Sequence, residues 1–134
     1  MKHHLHILWL ALIFAPFAVP AADNKGIRAS YPYAVLIKDT IDMGIIERTD
    51  RVTAEIRLRN EGTPELTIAR VRSSCGLMIP TWPAEAISTG EEAVIRFRYN
   101  ANRLGRFERF IVIHTNAWQK TLVVPVSGEV VPQK

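Results

Sequence analysis

The side chains best suited to bind a metal ion or to act as nucleophiles are few in this sequence. Cys75 is the single cysteine, Met78 follows it closely, and His114 lies much further along the chain. Cu(I) selects thiolate and thioether ligands and also accepts imidazole, so these three residues are candidate copper ligands, with Met43 as a further one. The alternative is that Cys75 is a small buried hydrophobe and that Met78 fills a gap in the core.

Zinc binding and catalysis are less well supported by the same residues. A zinc site typically needs four ligands, more than one His and one Cys provide. A catalytic His needs a nucleophile and an orienting group beside it, whereas His114 lies in an apolar segment in phase with Phe110 and Val112. No Gly-rich phosphate loop or paired-carboxylate motif is present. We therefore predict no enzymatic activity and no cofactor. A thiol redox role would rest on Cys75 alone, with Arg72 as the nearest flanking cation.

Arginine residues form the clearest charged pattern. They recur two positions apart as Arg57/Arg59, Arg70/Arg72 and Arg96/Arg98. On a strand this spacing places both side chains on one face, where guanidinium groups can bind an acidic glycan, a lipid phosphate or an acidic protein. The candidate partner-binding arginines are Arg57, Arg59, Arg96 and Arg98. The alternative is a salt-bridged face, because Glu55, Glu65, Glu92 and Glu108 lie near them in sequence. Nucleic acid is not a predicted partner, since the N-terminal segment predicts that the chain is exported.

Two tryptophans in predicted loops are further candidate partner contacts. Trp82 lies in a Thr-Trp-Pro sequence, and Trp118 lies in a predicted turn. Aromatic residues are enriched at binding hot spots, but tryptophans in loops also cover the ends of hydrophobic cores. The open edges of a sheet can also accept a strand from a partner. These features favour a binding role.

The segments that must position these residues read as β-strands. Residues 52–59 alternate strictly between apolar and polar side chains, as a half-buried strand does. The other predicted strands span residues 33–37, 41–46, 66–72, 93–99, 107–115 and 121–126. A phase slip within residues 66–72 indicates a bulge, residues 73–83 are predicted as a loop, and Pro125 is expected where a strand has a free edge. About seven short strands separated by turn residues predict an all-β fold, an immunoglobulin-like antiparallel β-sandwich.

The N-terminal segment has the pattern of a secretion signal. Lys2 precedes an apolar run over residues 7–19, and Ala21 ends a Val-Pro-Ala sequence suited to cleavage. The run is shorter than the roughly 20 apolar residues of a membrane-spanning helix. We predict a signal peptide over residues 1–21 and one domain over residues 22–134, in the periplasm or secreted, with no stable membrane insertion. The alternative is an uncleaved membrane anchor.

Composition agrees with a folded domain. Hydrophobic residues make up 48% and charged residues 22% of the chain, proportions typical of globular proteins rather than disordered ones. The formal net charge of +4 is modest. A single cysteine excludes an internal disulfide framework, so packing and hydrogen bonds must hold the fold.

Several short motifs occur in an order that resembles a known family. They are Ile41-Asp-Met-Gly44, Asn60-Glu-Gly62, Leu66-Thr-Ile68, Ser74-Cys75-Gly76, Thr89-Gly90-Glu91, Gly105-Arg-Phe107, Thr115-Asn116 and Val126-Ser-Gly128. The sequence resembles a widespread family of exported bacterial one-domain proteins of unknown function. That family is similar to the immunoglobulin-like domains of the major sperm protein and of the ASPM–SPD2–Hydin group. The resemblance implies a sandwich that presents surfaces to partners and implies no catalysis.

One departure from the family pattern bears on thiol chemistry. Many members carry Cys-Gly-Cys-Thr where this chain reads Cys75-Gly76-Leu77-Met78. The second cysteine is absent, which argues against a vicinal thiol pair. The sequence thus predicts a non-catalytic exported binding or assembly module whose partner is a protein or a cell-envelope component. The alternative is a periplasmic copper-binding protein that uses Cys75 and Met78.

Overall fold

The computed structural model describes residues 24–74 and 77–134, and for Met78 and Pro80 it describes the backbone alone. The elements are α1 (Lys25–Ser30), β1 (Ala34–Leu36), β2 (Ile41–Glu47), β3 (Arg51–Asn60), β4 (Ile68–Ser73), β5 (Leu77–Thr81), β6 (Glu92–Asn100), β7 (Gly105–Thr115) and β8 (Thr121–Val131). The predicted signal peptide lies outside the described residues.

The strands form two four-stranded sheets, which confirms the predicted β-sandwich. Sheet A has the order β1-β3-β6-β5, and sheet B has the order β2-β8-β7-β4. The long pairs β3–β6 and β7–β8 are antiparallel and occupy the centre of each sheet. One pair departs from the predicted antiparallel arrangement, because β2 runs parallel to β8. The short segment between β1 and β2 carries the chain from sheet A to sheet B.

The core lies between the sheets and follows from the alternation seen in the sequence. Fully buried apolar side chains come from both inner faces: Ile56, Leu58, Ile95 and Phe97 from sheet A, and Ile111, Ile113, Val124 and Val126 from sheet B. Tyr99 and Phe107 stack across the sheets with their ring centroids 4.1 Å apart. Each inward side chain has polar or charged neighbours before and after it in β3, so the opposite face of that strand is left to solvent.

A buried asparagine fixes one end of the sandwich. Asn60 is fully buried at the end of β3, and its Nδ2 donates to the carbonyls of Pro64 and Ile87 at 2.8 and 2.9 Å. Its Oδ1 accepts the Gly62 N–H at 2.9 Å and the Tyr33 N–H at 3.4 Å. Asn60 therefore joins three separate stretches of backbone.

One strand was not predicted, and another extends beyond its predicted limit. β5 occupies part of the predicted loop 73–83, where Pro80 and a register irregularity disguise an edge strand that pairs with β6 on one side only. β8 continues past its predicted end through Ser127 and Gly128, residues that resemble a turn. Gly128 is required there for packing, because a Cβ would lie 2.6 Å from Cζ of Phe107.

Pro125 lies where β8 has a neighbour on one side. Pairing between β8 and β2 begins only at Val126, so at Pro125 the strand is flanked by β7 alone, with Phe110 opposite. The N–H and C=O of Phe110 both bond to Ser74 at 3.0 Å and point away from β8. The missing N–H of Pro125 therefore breaks no bond between β7 and β8. Pro125 lies where no ladder donor is needed, as expected, but β8 is a central strand rather than an edge strand.

Candidate partner-binding surface

The four arginines singled out in the sequence lie together on the outer face of sheet A. Arg57 and Arg59 extend from β3, while Arg96 and Arg98 extend from the adjacent β6. The strand register places Glu55 opposite Arg96, and Glu92 opposite Arg59. The arginine pairs are thus interleaved with carboxylates.

Most of these arginines have carboxylate partners within the same face. Arg59 Nη2 lies 2.8 Å from Glu92 Oε1, and Arg96 Nε lies 3.0 Å from Glu55 Oε1. Arg57 bridges the two carboxylates, at 3.4 Å from Glu55 and 4.0 Å from Glu92. The face therefore carries a ladder of ion pairs, as the alternative interpretation of the arginine pattern expects.

The ionisation of this ladder follows from its hydrogen bonds. The hydrogen bond from Arg96, together with the charges of Arg96 and Arg57, holds the pKa of Glu55 below its usual value against a smaller opposing effect of burial. The hydrogen bond to Glu92 raises the pKa of Arg59. Arg98 makes no ion pair with a described residue, and its Nε is buried without a hydrogen-bond partner.

The described candidate metal ligands lie on both sheets: Met43 and His114 on sheet B, and the backbone of Met78 on β5 of sheet A. Cys75 lies outside the described residues, and the side chain of Met78 is not described. Ser74, which precedes Cys75, bonds to Phe110, and His114 lies four residues further along β7, roughly 13 Å away. Met43 lies on β2, towards the opposite end of the sheet from His114. Copper binding by Cys75 and Met78 stays a prediction, and the register separates His114 from Ser74.

The two candidate tryptophans have different surroundings. Trp82 is partly buried and packs against the hydrophobic core. Trp118 is 50% exposed in the turn between β7 and β8. Of the pair, Trp118 is the side chain that is open to a partner.

The turn that carries Trp118 is fixed by hydrogen bonds to three parts of the chain. The Trp118 N–H donates to the Pro32 carbonyl at 2.9 Å, and Gln119 Nε2 donates to the Ala34 carbonyl at 2.9 Å. On the other side, Asn116 Oδ1 accepts the Thr67 N–H at 2.8 Å. Lys120 closes the turn in the left-handed region, at φ +58°. These anchors hold the indole in place without burying it.

Trp118 forms one wall of a groove at this end of the sandwich. Its ring packs against Tyr31, which is 47% exposed, with the centroids 4.9 Å apart and the planes inclined at 53°. The groove has a volume of about 610 Å³, and its other lining residues are His114, Thr115, Asn116, Ala117, Lys120 and Thr121. This volume falls within the range of ligand-binding clefts, roughly 300–1,000 Å³.

The sequence could identify part of this groove. The turn residues around Trp118 and the position of His114 on a strand are visible as local patterns. Tyr31 comes from the segment before β1 and meets Trp118 only through tertiary contact, so no local signal indicates its role. Lys120 adopts positive φ although it is not a glycine, and its sequence gives no sign of this.

Comparisons with known proteins agree with this fold. A family model described as Protein of unknown function (DUF1573) matches residues 35–130. No curated protein matches the chain. No helix among the described residues is long and apolar enough to cross a membrane.

Several solved structures share the architecture. The secreted serine protease VesC from Vibrio cholerae superposes with a TM-score of 0.59 and 12% identity, over 73% of this chain and 23% of that one. A protein of unknown function from Porphyromonas gingivalis W83 gives 0.63 and 20%, over 73% and 46%. The ASH/PapD-like domain 7 of human CEP192 gives 0.63 and 11%, over 78% and 89%. The chain spans less than half the length of the first two structures, and at these identities the likeness shows the immunoglobulin-like fold alone.

Proposed function

The chain belongs to the DUF1573 family of proteins of unknown function, and from this premise we propose that it is a non-catalytic binding or assembly module of the bacterial cell envelope. In this proposal it is exported to the periplasm and engages a protein partner through the groove beside Trp118. The observation that carries the proposal is a half-exposed tryptophan held rigidly over a groove of about 610 Å³.

The anchoring of Trp118 is what distinguishes it from an incidental surface aromatic. A rigid aromatic side chain gives a large contact area and loses little conformational entropy when a partner binds. The backbone N–H of Trp118 and the side chains of Asn116 and Gln119 already bond within the domain, so the turn does not have to be ordered by the partner. Such preorganised aromatic residues dominate the energetics of many interfaces.

The surroundings of His114 favour binding over catalysis. Its cross-strand neighbours are Arg70 on β4 and Thr121 on β8. This set provides no carboxylate to orient the imidazole and no cysteine or serine nucleophile. We assign His114 to the polar lining of the groove.

The test is photo-crosslinking in the producing cell. A benzoylphenylalanine in place of exposed Lys120 should yield a discrete adduct with a partner protein. Adding Trp118→Ala should reduce that adduct at least tenfold, because the anchor is lost. Leu104→Ala is the matched control, since Leu104 is 54% exposed but lies in the β6–β7 connection, away from the groove. An adduct of equal yield in both variants, or none in the parent, would count against the proposal.

A further inference from the structure

The outer face of sheet B differs from the ion-paired face of sheet A in leaving apolar side chains exposed at its centre. Phe110 on β7 is 49% exposed, and Val123 on β8 is 52% exposed. Val112 pairs with Val123, and Phe110 pairs with Pro125, so these four side chains form two adjacent cross-strand rows. An exposed apolar cluster in the middle of a sheet face is typical of an interaction surface.

The charges at the two ends of this face are opposite in sign. At one end, β4 presents Arg70 and Arg72, which stand beside His114 and Val112. At the other end, three carboxylates share the face with one arginine: Asp42, Glu108, Glu129 and Arg106. None of the two basic and three acidic residues makes an ion pair with another described residue. The charge of the face therefore changes sign along the strands, and these five charged side chains have no ion-pair partner among the described residues.

The acidic end is also concave. A depression of about 400 Å³ lies between Asp42, Glu108 and Glu129. Gly44, Ile45, Arg106 and Gly128 also line it, where β2 makes its register irregularity against β8. A long cationic side chain from a facing surface could enter this depression and meet the carboxylates.

We propose that the outer face of sheet B binds the same face of a second copy of this chain, turned end for end. The two-fold axis lies between the faces, perpendicular to the diagonal that runs from Arg70 and Arg72 on β4 to the depression on β2, β8 and β7, and it stacks the two apolar centres. It also places Arg70 and Arg72 of each copy over the acidic depression of the other. This arrangement is isologous, so every contact occurs twice. The proposal uses a surface other than the wall formed by Trp118 and Tyr31, and it does not depend on the partner assigned to that groove.

The area of this face limits the expected affinity of the dimer. Four strands about 4.8 Å apart and eight residues of β7 at about 3.4 Å each give roughly 500 Å² per copy. Stable interfaces bury about 800 Å² per partner, so the dimer should be a weak one, with a dissociation constant of about 10–100 µM. Salt should weaken it further because its ionic contacts are near the surface.

The experiment is analytical ultracentrifugation of the protein purified in the form in which the cell accumulates it. The samples span protein concentrations from about 5 to 500 µM. Wild type should shift from monomer to dimer across this range, with an affinity at least fivefold lower in 1 M salt. Arg70→Glu/Arg72→Glu and Glu108→Arg/Glu129→Arg should each remain monomeric. An equimolar mixture of these two variants should recover a heterodimer, because one interface of matched charges is restored.

Controls separate charge complementarity from misfolding. Arg48→Glu/Arg51→Glu makes the same change in net charge at exposed residues near the β2–β3 turn, outside this face, and should dimerise like wild type. Recovery in the mixture itself demonstrates that both variants are folded. A wild type that is monomeric at 500 µM, charge variants that dimerise normally, or a mixture that stays monomeric would each overturn the proposal. The Trp118→Ala variant should remain dimeric. Loss of partner binding at the groove can therefore be distinguished from loss of the dimer.

Discussion

Replacing Asn60 with alanine should destabilise the domain far more than any exposed asparagine does. Its side chain is fully buried and makes bonds to four backbone groups. In the alanine variant the Gly62 N–H and the Pro64 carbonyl lose their partners, and the Tyr33 N–H loses its longer bond of 3.4 Å. The Ile87 carbonyl keeps one, because it also accepts the Leu66 N–H at 2.9 Å.

The magnitude follows mainly from the Gly62 N–H and the Pro64 carbonyl. Each buried polar group left without a partner costs about 1–3 kcal/mol. Adding a small contribution from the space left by the amide gives an expected loss of about 3–5 kcal/mol. A domain of this size is stable by about 5–15 kcal/mol, so the variant should lose a large part of its stability and about 10–20 °C in Tm.

Asn116→Ala is the matched control. Asn116 also joins two backbone groups, the Thr67 N–H at 2.8 Å and the Glu65 carbonyl at 3.1 Å, but it is exposed. Water can replace its amide, so the expected loss is only about 0.5–1.5 kcal/mol. Urea unfolding followed by tryptophan fluorescence measures both. Equal losses in the two variants, or a loss below about 1.5 kcal/mol for Asn60→Ala, would refute the reasoning from burial.

Three further predictions test the outer ladder, the packing of β8 and the thiol. The folded-state pKa of Glu55 is lowered, so its ionised carboxylate stabilises the fold at neutral pH, and this stabilisation is lost as pH falls through that pKa. The loss of unfolding free energy caused by Glu55→Gln, measured by urea unfolding, should therefore shrink below about pH 4. Gly128→Ala should cost about 1–3 kcal/mol by thermal unfolding because its Cβ would meet the Phe107 ring, whereas Gly26→Ala, with open space, should cost nothing. Cys75→Ser should leave crosslinking at the groove unchanged, and a copper adduct seen by native mass spectrometry in wild type but not in this variant would instead support the copper interpretation.

The fold was predictable from the sequence where one face of a strand is buried and the other face is exposed to solvent. In β3 the apolar positions alternate without interruption, in β6 only Val94 breaks the alternation, and the alternating positions are buried or partly buried. The pattern failed at β5, because an edge strand pairs on one side only and tolerates Pro80 and a bulge. It failed again at the end of β8, where Gly128 serves close packing against Phe107 rather than chain reversal.

The candidate surface was less predictable because it depends on which strands become neighbours. The sequence offered four glutamates near the arginine pairs without deciding which would pair. The register selects Glu55 and Glu92, while Glu61, which was not among the four, lies 3.9 Å from Arg59. Likewise, the contact between Tyr31 and Trp118 joins residues from opposite ends of the domain sequence. Local periodicity carries no information about such pairs.

Arginine pairs have different neighbours on the outer faces of the two sheets. On sheet A an arginine pair meets carboxylates on the adjacent strand, and those charges are largely compensated within the face. On sheet B the pair Arg70 and Arg72 lies on an edge strand whose one neighbour presents Val112 and His114, so its charges are left for another molecule. Identical i, i+2 spacing therefore gives a structural ladder in one sheet and an open cationic site in the other. What decides between them is the residue opposite each arginine, and this contrast supports the proposed dimer face on sheet B.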